Sequence, residues 1–291
     1  MKKHHYNRRL IYILLGCFLA IVAKPFFRAN AALAEPLSLE ISSPKQEWLV
    51  AEPVLVRVVF VNNTTTNQLL SAEFQVGISS SAVSYLISKD NKNFKPLEPL
   101  LFRDPVRQWM SISPGESFYH DELLTYDAGT DGLVFPIPGE YYVRVDYREQ
   151  KSNVLKIQVK EAMSADDRKW AGVMRSRDVL LAITPYGGRD VEALKKLGDC
   201  TKEPSVFSPY AAFFLASAET NKTNALALLD KADVANFPLQ SHAVFEKARI
   251  NLELGDKQKA HEQFERVLNS FSNSAAASEV KRKNLLESSK P

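Results

Sequence analysis

Cysteine is nearly absent from this chain: two in 291 residues, Cys17 and Cys200. Cys17 lies in an N-terminal stretch marked for removal, so Cys200 is left alone and no intramolecular disulfide can form in the processed protein. Cys200 reads as a free or buried thiol, because a nucleophilic cysteine needs a histidine beside it and no such motif surrounds this one. Histidine is also scarce. Beyond the N-terminal stretch only His120, His242 and His261 remain, without metal-ligand spacing, and there is neither a nucleophile elbow nor a phosphate loop. His242 and His261 read as surface residues on separate helices. Asp121 and Glu122 point to opposite faces of a strand, so they cannot flank one bond as an acid–base pair. A non-enzymatic protein without cofactor or metal is the expectation.

An excess of basic charge is lacking as well, despite the formal +3. Residues 1–34 hold six Lys/Arg and no acid, residues 35–160 hold 12 basic and 16 acidic, and residues 161–291 hold 19 and 18. The basicity belongs to the N-terminus, and no nucleic-acid partner is expected. Lys2, Lys3, Arg8 and Arg9 precede the apolar run Leu10 to Ala23, and Ala29/Ala31 and Ala32/Ala34 offer two A-x-A cleavage sites, which is the pattern of a secretory signal over residues 1–34. As a helix that run spans only ~21 Å, short of a ~30 Å hydrocarbon core. Leu14-Leu15-Gly16-Cys17 resembles a bacterial lipobox, which would lipidate Cys17 and add a membrane contact. The apolar run nevertheless continues through Phe18, Leu19, Ile21 and Val22. Arg8-Arg9 weakly resembles a twin-arginine export signal. The compact leader looks bacterial, giving a periplasmic or extracellular address; in a eukaryotic host the sequons at Asn62, Asn63 and Asn221 would be glycan sites.

Between Asn153 and Trp170 the apolar period changes from two to that of a helix, dividing a sheet domain, 35–160, from a helical domain, 161–291. The first offers nine short strands: Leu37–Ile41, Val54–Val61, Leu69–Val76, Val83–Ile87, Trp109–Ile112, Ser117–Leu124, Leu133–Phe135, Tyr141–Tyr147 and Val154–Val159. Turns fall at Asn62-Asn63-Thr64 and Ser113-Pro114-Gly115. Tyr141, Val143, Val145 and Tyr147 face one way, Tyr142, Arg144 and Asp146 the other. Pro138-Gly-Glu-Tyr141, Ser113-Pro-Gly-Glu-Ser and Glu52-Pro53 resemble bacterial immunoglobulin-like domains, which implies an antiparallel β-sandwich whose corner is pinned by the Tyr141 hydroxyl. Asp127-x-Gly129-x-Asp131-Gly132 shares part of a calcium loop, but Gly129 and Pro138 stand where ligands belong, so a hairpin turn is expected. Trp48, Trp109, Tyr119, Tyr142 and Tyr147 are the aromatics from which a sugar-stacking face could be made.

Ser164 caps the first helix, whose apolar side is Trp170, Val173, Met174, Leu180 and Leu181; Pro185-Tyr-Gly-Gly stops it, and a short helix with Val191, Leu194 and Leu197 ends at Gly198. Ala225, Leu229 and Ala232 then recur as Ala260, Phe264 and Val267, a period of 35 residues that marks stacked helix hairpins. The stretch Ala243 to Leu268, with Ala248, Gly255, Ala260 and Phe264, resembles a tetratricopeptide repeat. The copy from Val206 to Gln240 is looser: Thr220 replaces the turn glycine, and Ala212 meets Ala248 only after a shift of one residue. Ser274 to Leu286 forms the capping helix. The resemblance implies a groove lined by the first helix of each hairpin, with Phe245, Arg249 and Glu253 facing a protein or peptide partner, joined by Tyr210 and Phe214 in the unshifted register. An exported protein-interaction module of the bacterial envelope is therefore expected; the alternative is an envelope carbohydrate-binding or adhesive protein acting through the sheet domain. Intact-mass measurement of the exported protein should find an N-terminus near Ala32 or Glu35, whereas an acylated Cys17 terminus would replace the soluble reading with a membrane-anchored one.

Overall fold

The computed structural model describes residues 37–71, 73–74, 79, 81–101, 109–184 and 190–290. The leader with Cys17, the Pro185-Tyr-Gly-Gly stop and much of the second half of the expected Leu69–Val76 strand lie outside them. Strands come first and helices second, so the chain is of mixed class.

Strand β3 (Val54–Asn62) reads almost continuously apolar because it is covered on both sides. It lies between β1 (Leu37–Ser42) and β8 (Ser117–Leu124), antiparallel to both. Val54, Val56, Val58 and Phe60 point to the interior, where the Phe60 ring meets Tyr147 at 5.0 Å. The reverse face aligns Leu55 with Leu123, Arg57 with Asp121 and Val59 with Tyr119, and the helices dock there.

Tyr147 belongs to a second sheet, β2-β13-β11-β5-β6, in which β2 (Glu47–Leu49) runs parallel to β13 (Leu155–Lys160). Strands β13, β11 (Gly139–Tyr147), β5 (Val83–Ser88) and β6 (Lys95–Pro96) are antiparallel, and β12 (Gln150–Lys151) folds back on β11. Two ribbons complete this part: β4 (Gln68–Ser71) with β7 (Trp109–Ile112), and β9 (Tyr126–Asp127) with β10 (Gly132–Leu133). Tyr141, Val143, Val145 and Tyr147 are buried as the alternation predicts, while Arg144 clasps Asp146 on the other face at 2.8 and 3.0 Å. The Tyr141 hydroxyl donates to the Ile137 carbonyl at 2.9 Å and closes the corner before β11. Strands β2, β6, β9 and β12 were not expected: two or three residues carry no readable alternation, and such strands exist only because a neighbour supplies the ladder.

Ser164 caps α1 (Ala165–Met174), its hydroxyl accepting from the Asp167 N–H at 2.9 Å. The single helix expected through Leu181 is two. Ser176 is extended and its hydroxyl donates to the Val173 carbonyl, so α2 (Arg177–Ile183) restarts and brings Val179, Leu180 and Ile183 onto the cluster of Trp170 and Met174. Gly198 likewise does not end α3 (Val191–Cys200); burial of Leu197 and Cys200 carries the helix past it, outweighing a glycine penalty of about 1 kcal/mol.

Helices α4 (Ser208–Ala218) and α5 (Lys222–Ala232) pack as one pair, α6 (Gln240–Glu253) and α7 (Lys257–Ser270) as a second. The second members start 35 residues apart, and all six repeat residues from Ala225 to Val267 are buried. Gly255 takes φ +82° at its turn, a left-handed conformation that favours glycine. In α4 both Ala211 and Ala212 are fully buried while Phe213 and Phe214 are half-buried. Ser274 caps α8 (Ala275–Arg282), and α9 (Leu285–Ser288) follows after Asn284.

Tyr210, Ala212, Ala216, Leu229, Phe237, Leu239 and Ala243 join the hydrophobic cluster of the sheets. Met163, 86% exposed, is the weak point of the connection. Limited proteolysis should nick near Met163, and the two fragments should still elute together under native conditions because they share that core.

Candidate functional site

Two buried carboxylates tie the helices to the sheet. Glu52 sits in the turn before β3, 4% exposed, and accepts from the Lys45 ammonium, from the Leu49 N–H at 2.9 Å and from the Tyr210 hydroxyl at 3.0 Å. Burial, and then the Glu52 charge, pushes the Tyr210 hydroxyl well above its ordinary pKa. Asp121 accepts from Arg57 Nε and Nη2 at 2.7 and 2.9 Å and from His242 Nε2 at 3.0 Å. Burial alone would raise its pKa, but the His242 and Arg57 hydrogen bonds outweigh that and hold the carboxyl well below the usual range. Glu122 points the other way, to His120 at 3.2 Å, as the strand alternation requires. His242 is thus a fastening of helix to sheet rather than a surface residue.

The expected groove residues separate into two groups. Tyr210 is 1% exposed and edge-on to Phe237 at 4.8 Å; Phe245 is 7% exposed and packs on Phe264 at 6.0 Å. Both are core, which corrects their assignment to an open groove: Tyr210 is covered by Phe237 and the sheet, and Phe245 by its hairpin partner α7 and by α8. Phe214 is half-buried beside Phe213. Arg249 and Glu253 are exposed. They belong to a surface string in which Arg249 meets Glu246 at 2.9 Å and Glu253 at 3.7 Å, and Lys222 reaches Glu253 at 3.0 Å. Such exposed pairs contribute little to stability and can exchange partners at small cost.

The aromatics of the alternative reading do not share a face. Trp48 and Tyr147 are buried, whereas Trp109 is 52% exposed with the Arg148 guanidinium 5.5 Å from its ring. Asp127 accepts from the Gly129 N–H and the Thr130 hydroxyl within its own turn, and Asp131 from Tyr126 and Arg177, so the stretch is the expected hairpin. Among the described residues no three His, Cys, Asp or Glu side chains are grouped to hold a metal ion. Cys200 is fully buried, and burial, with the Glu203 charge, pushes its thiol up to about 12. Asn62 is also fully buried, its amide spent on Thr64, Thr66 and Ile112, so it cannot carry a glycan in the folded chain; Asn221 caps α5.

Among the described residues lie two clefts that no sequence pattern announced. One, of about 480 Å³, lies between β7–β8 and α8; there Tyr119 N–H donates to the Ser278 hydroxyl and Tyr119 hydroxyl to Asn273, with Ser111, Ser117 and Lys281 around them. The other, of about 580 Å³, lies between the β5–β6 end of the second sheet and the β9–β10 ribbon. Each gathers residues from segments far apart in sequence, which is why neither has a local signature.

No family model and no curated protein matches the chain. Among solved structures, a β-glucosidase from Listeria innocua is 14% identical over 44% of this chain and 16% of that one, with a TM-score of 0.28. An alkylpurine DNA glycosylase from Pseudomonas fluorescens is 10% identical over 43% of this chain and 30% of that one, with a TM-score of 0.26. A sporulation control protein from Bacillus subtilis is 16% identical over 51% and 54%, also with a TM-score of 0.26. Likenesses at these scores carry no argument.

Phe245→Ala should cost about 3–5 kcal/mol in chemical unfolding, as loss of a core phenyl does. Asp121→Ala should cost a similar ~3–5 kcal/mol by leaving Arg57 and His242 without their buried acceptor. Because the folded pKa of Asp121 lies below the unfolded value of about 3.9, its contribution is present above that value and is lost as pH falls below it. The Asp121→Ala penalty should therefore shrink in urea titrations carried to lower pH.

Proposed function

We propose that this chain is an exported, non-enzymatic protein-interaction module of a bacterial envelope, built as an immunoglobulin-like sandwich that carries tetratricopeptide-like helix pairs. The observation that supports this most is on α6: one side of the helix is committed to the core through Ala243, Val244 and Ala248, while Arg249 and Glu253 stay exposed one turn apart. An exposed acid and base on a rigid helix can re-pair with a protein or peptide at low cost, which serves specificity and association rate more than raw affinity. In the unshifted 35-residue register Phe214, half-buried, is the residue equivalent to Arg249 and offers the adjoining apolar contact. The leader supplies the envelope address.

The polar cleft between β8 and α8 favours a second reading, carbohydrate binding through the sheet part. Tyr119, Ser111, Ser117 and Asn273 place an aromatic ring among hydroxyl and amide groups, the combination that sugars require.

Arg249→Ala with Glu253→Ala should abolish capture of a specific partner from envelope extract while moving the thermal midpoint by no more than about 2 °C. Retained capture by that double variant, together with glycan-array binding lost on Tyr119→Ala, would transfer the function to the sheet part.

A further inference from the structure

The larger cleft has a definite chemistry. Val143 pairs with Ile87 and Tyr142 with Ser88 across β11 and β5, and the next residues set Lys89 over Tyr141 with its ammonium 5.0 Å from the ring centroid. Ile87 also pairs with Lys95 on β6. Ile87, Lys89, Lys95 and Tyr141 therefore line one side of the cleft, and Leu133 and Val134 of the β9–β10 side line the other. Tyr141 and Val134 are buried behind the walls, and the accessible apolar surface is that of the half-buried Ile87, Leu97 and Leu133.

The charges at the rim are unequal in availability. Asp90 accepts from the Ser88 hydroxyl at 2.8 Å, the Lys92 and Asn93 N–H groups at 2.9 and 2.8 Å, and the Asn93 amide at 2.5 Å. Asp127 accepts from the Gly129 and Glu98 N–H groups at 3.1 and 3.3 Å and from the Thr130 hydroxyl at 3.0 Å. Asp90 is thus occupied inside its own loop, and Asp127 by its own turn and by the Glu98 backbone. Lys89 and Lys95 have no ion pair among the described residues, and the Tyr141 ring holds one of the two ammoniums over the cleft instead of letting it swing into solvent. A volume of about 580 Å³ is within the range of small-molecule sites.

We propose that this cleft binds a small organic monocarboxylate with an apolar body, the carboxylate meeting Lys89 and Lys95 and the body lying between Ile87 and Leu97 on one side and Leu133 on the other. Each ammonium gains a charge-assisted hydrogen bond it otherwise lacks, and the apolar body covers side chains that the sheet interior leaves open. This is independent of the protein-binding surface on α6, since no residue is shared.

The test is a methyl-NMR titration of the processed full chain with 4-phenylbutyrate, its neutral amide 4-phenylbutyramide and the cation 4-phenylbutylamine. The acid should give saturable shifts at the Ile87, Leu133 and Val134 methyls, and the amide and amine should bind about ten-fold more weakly, the factor that two charge-assisted contacts at an exposed rim supply. Lys89→Met with Lys95→Met keeps both apolar stems and should reduce the acid to the level of the amide while leaving amide binding and the thermal midpoint unchanged. Equal binding of acid and amide, an unaffected acid in the double variant, shifts confined to the Tyr119 cleft, or no saturable shift with the acid would each overturn the proposal. Loss of partner capture in the α6 variants leaves these readouts untouched, so the two assignments fail separately.

Discussion

Burial of the three-stranded sheet on both faces is the constraint on which the rest depends. One face of β3 is sealed by the second sheet through contacts such as Phe60 with Tyr147, and the other by helices. A face that carries Arg57 and Asp121 can be buried only if those charges are satisfied, because an isolated buried carboxylate is far costlier than the apolar area around it repays. Arg57 supplies two hydrogen bonds from the same sheet and His242 a third from the helix, which sets where α6 must lie. Glu52 does the same for α4 through Tyr210. Apolar area supplies the driving force and the two carboxylates supply the register.

The helices are fastened to one another by a similar device. Asp233, beyond the end of α5, accepts from Arg266 of α7 at 2.6 and 2.8 Å, and also from Lys247 and Gln240 of α6. Burial would raise its pKa, but the Arg266 and Gln240 hydrogen bonds and the Arg266 and Lys247 charges bring it down to about 2. With these acids committed internally, groups able to change partners at small cost include the exposed pairs on the outer turn of α6.

How much of the site could be read in advance followed from how local its determinants are. Arg249 and Glu253, singled out through the tetratricopeptide resemblance, are exposed, as their spacing from the buried Ala248 and Asn251 on the same helix requires. Phe245 and Tyr210 were not legible, since an aromatic on a hairpin's first helix is exposed or buried according to what packs on that hairpin, and here the sheet covers Tyr210 while α7 and α8 cover Phe245. The two clefts were illegible for the same reason: Lys89, Lys95 and Leu133 meet only because β5, β6 and β10 converge.

From the sequence alone came the mixed class, the change of period after Asn153, the face assignment of β11, the Ser164 cap and the 35-residue offset of the helix pairs. Each rests on short-range chemistry: side-chain alternation, a hydroxyl reaching a nearby N–H, a turn that requires glycine. The tertiary structure decided that Gly198 stays helical, that one expected helix breaks at Ser176, that Asn62 is sealed from solvent, and that His242 and Tyr210 face carboxylates more than a hundred residues away. Those outcomes turn on which surfaces are removed from water when distant segments meet, and burial of that kind is a property of the assembled layers, not of any one stretch of chain.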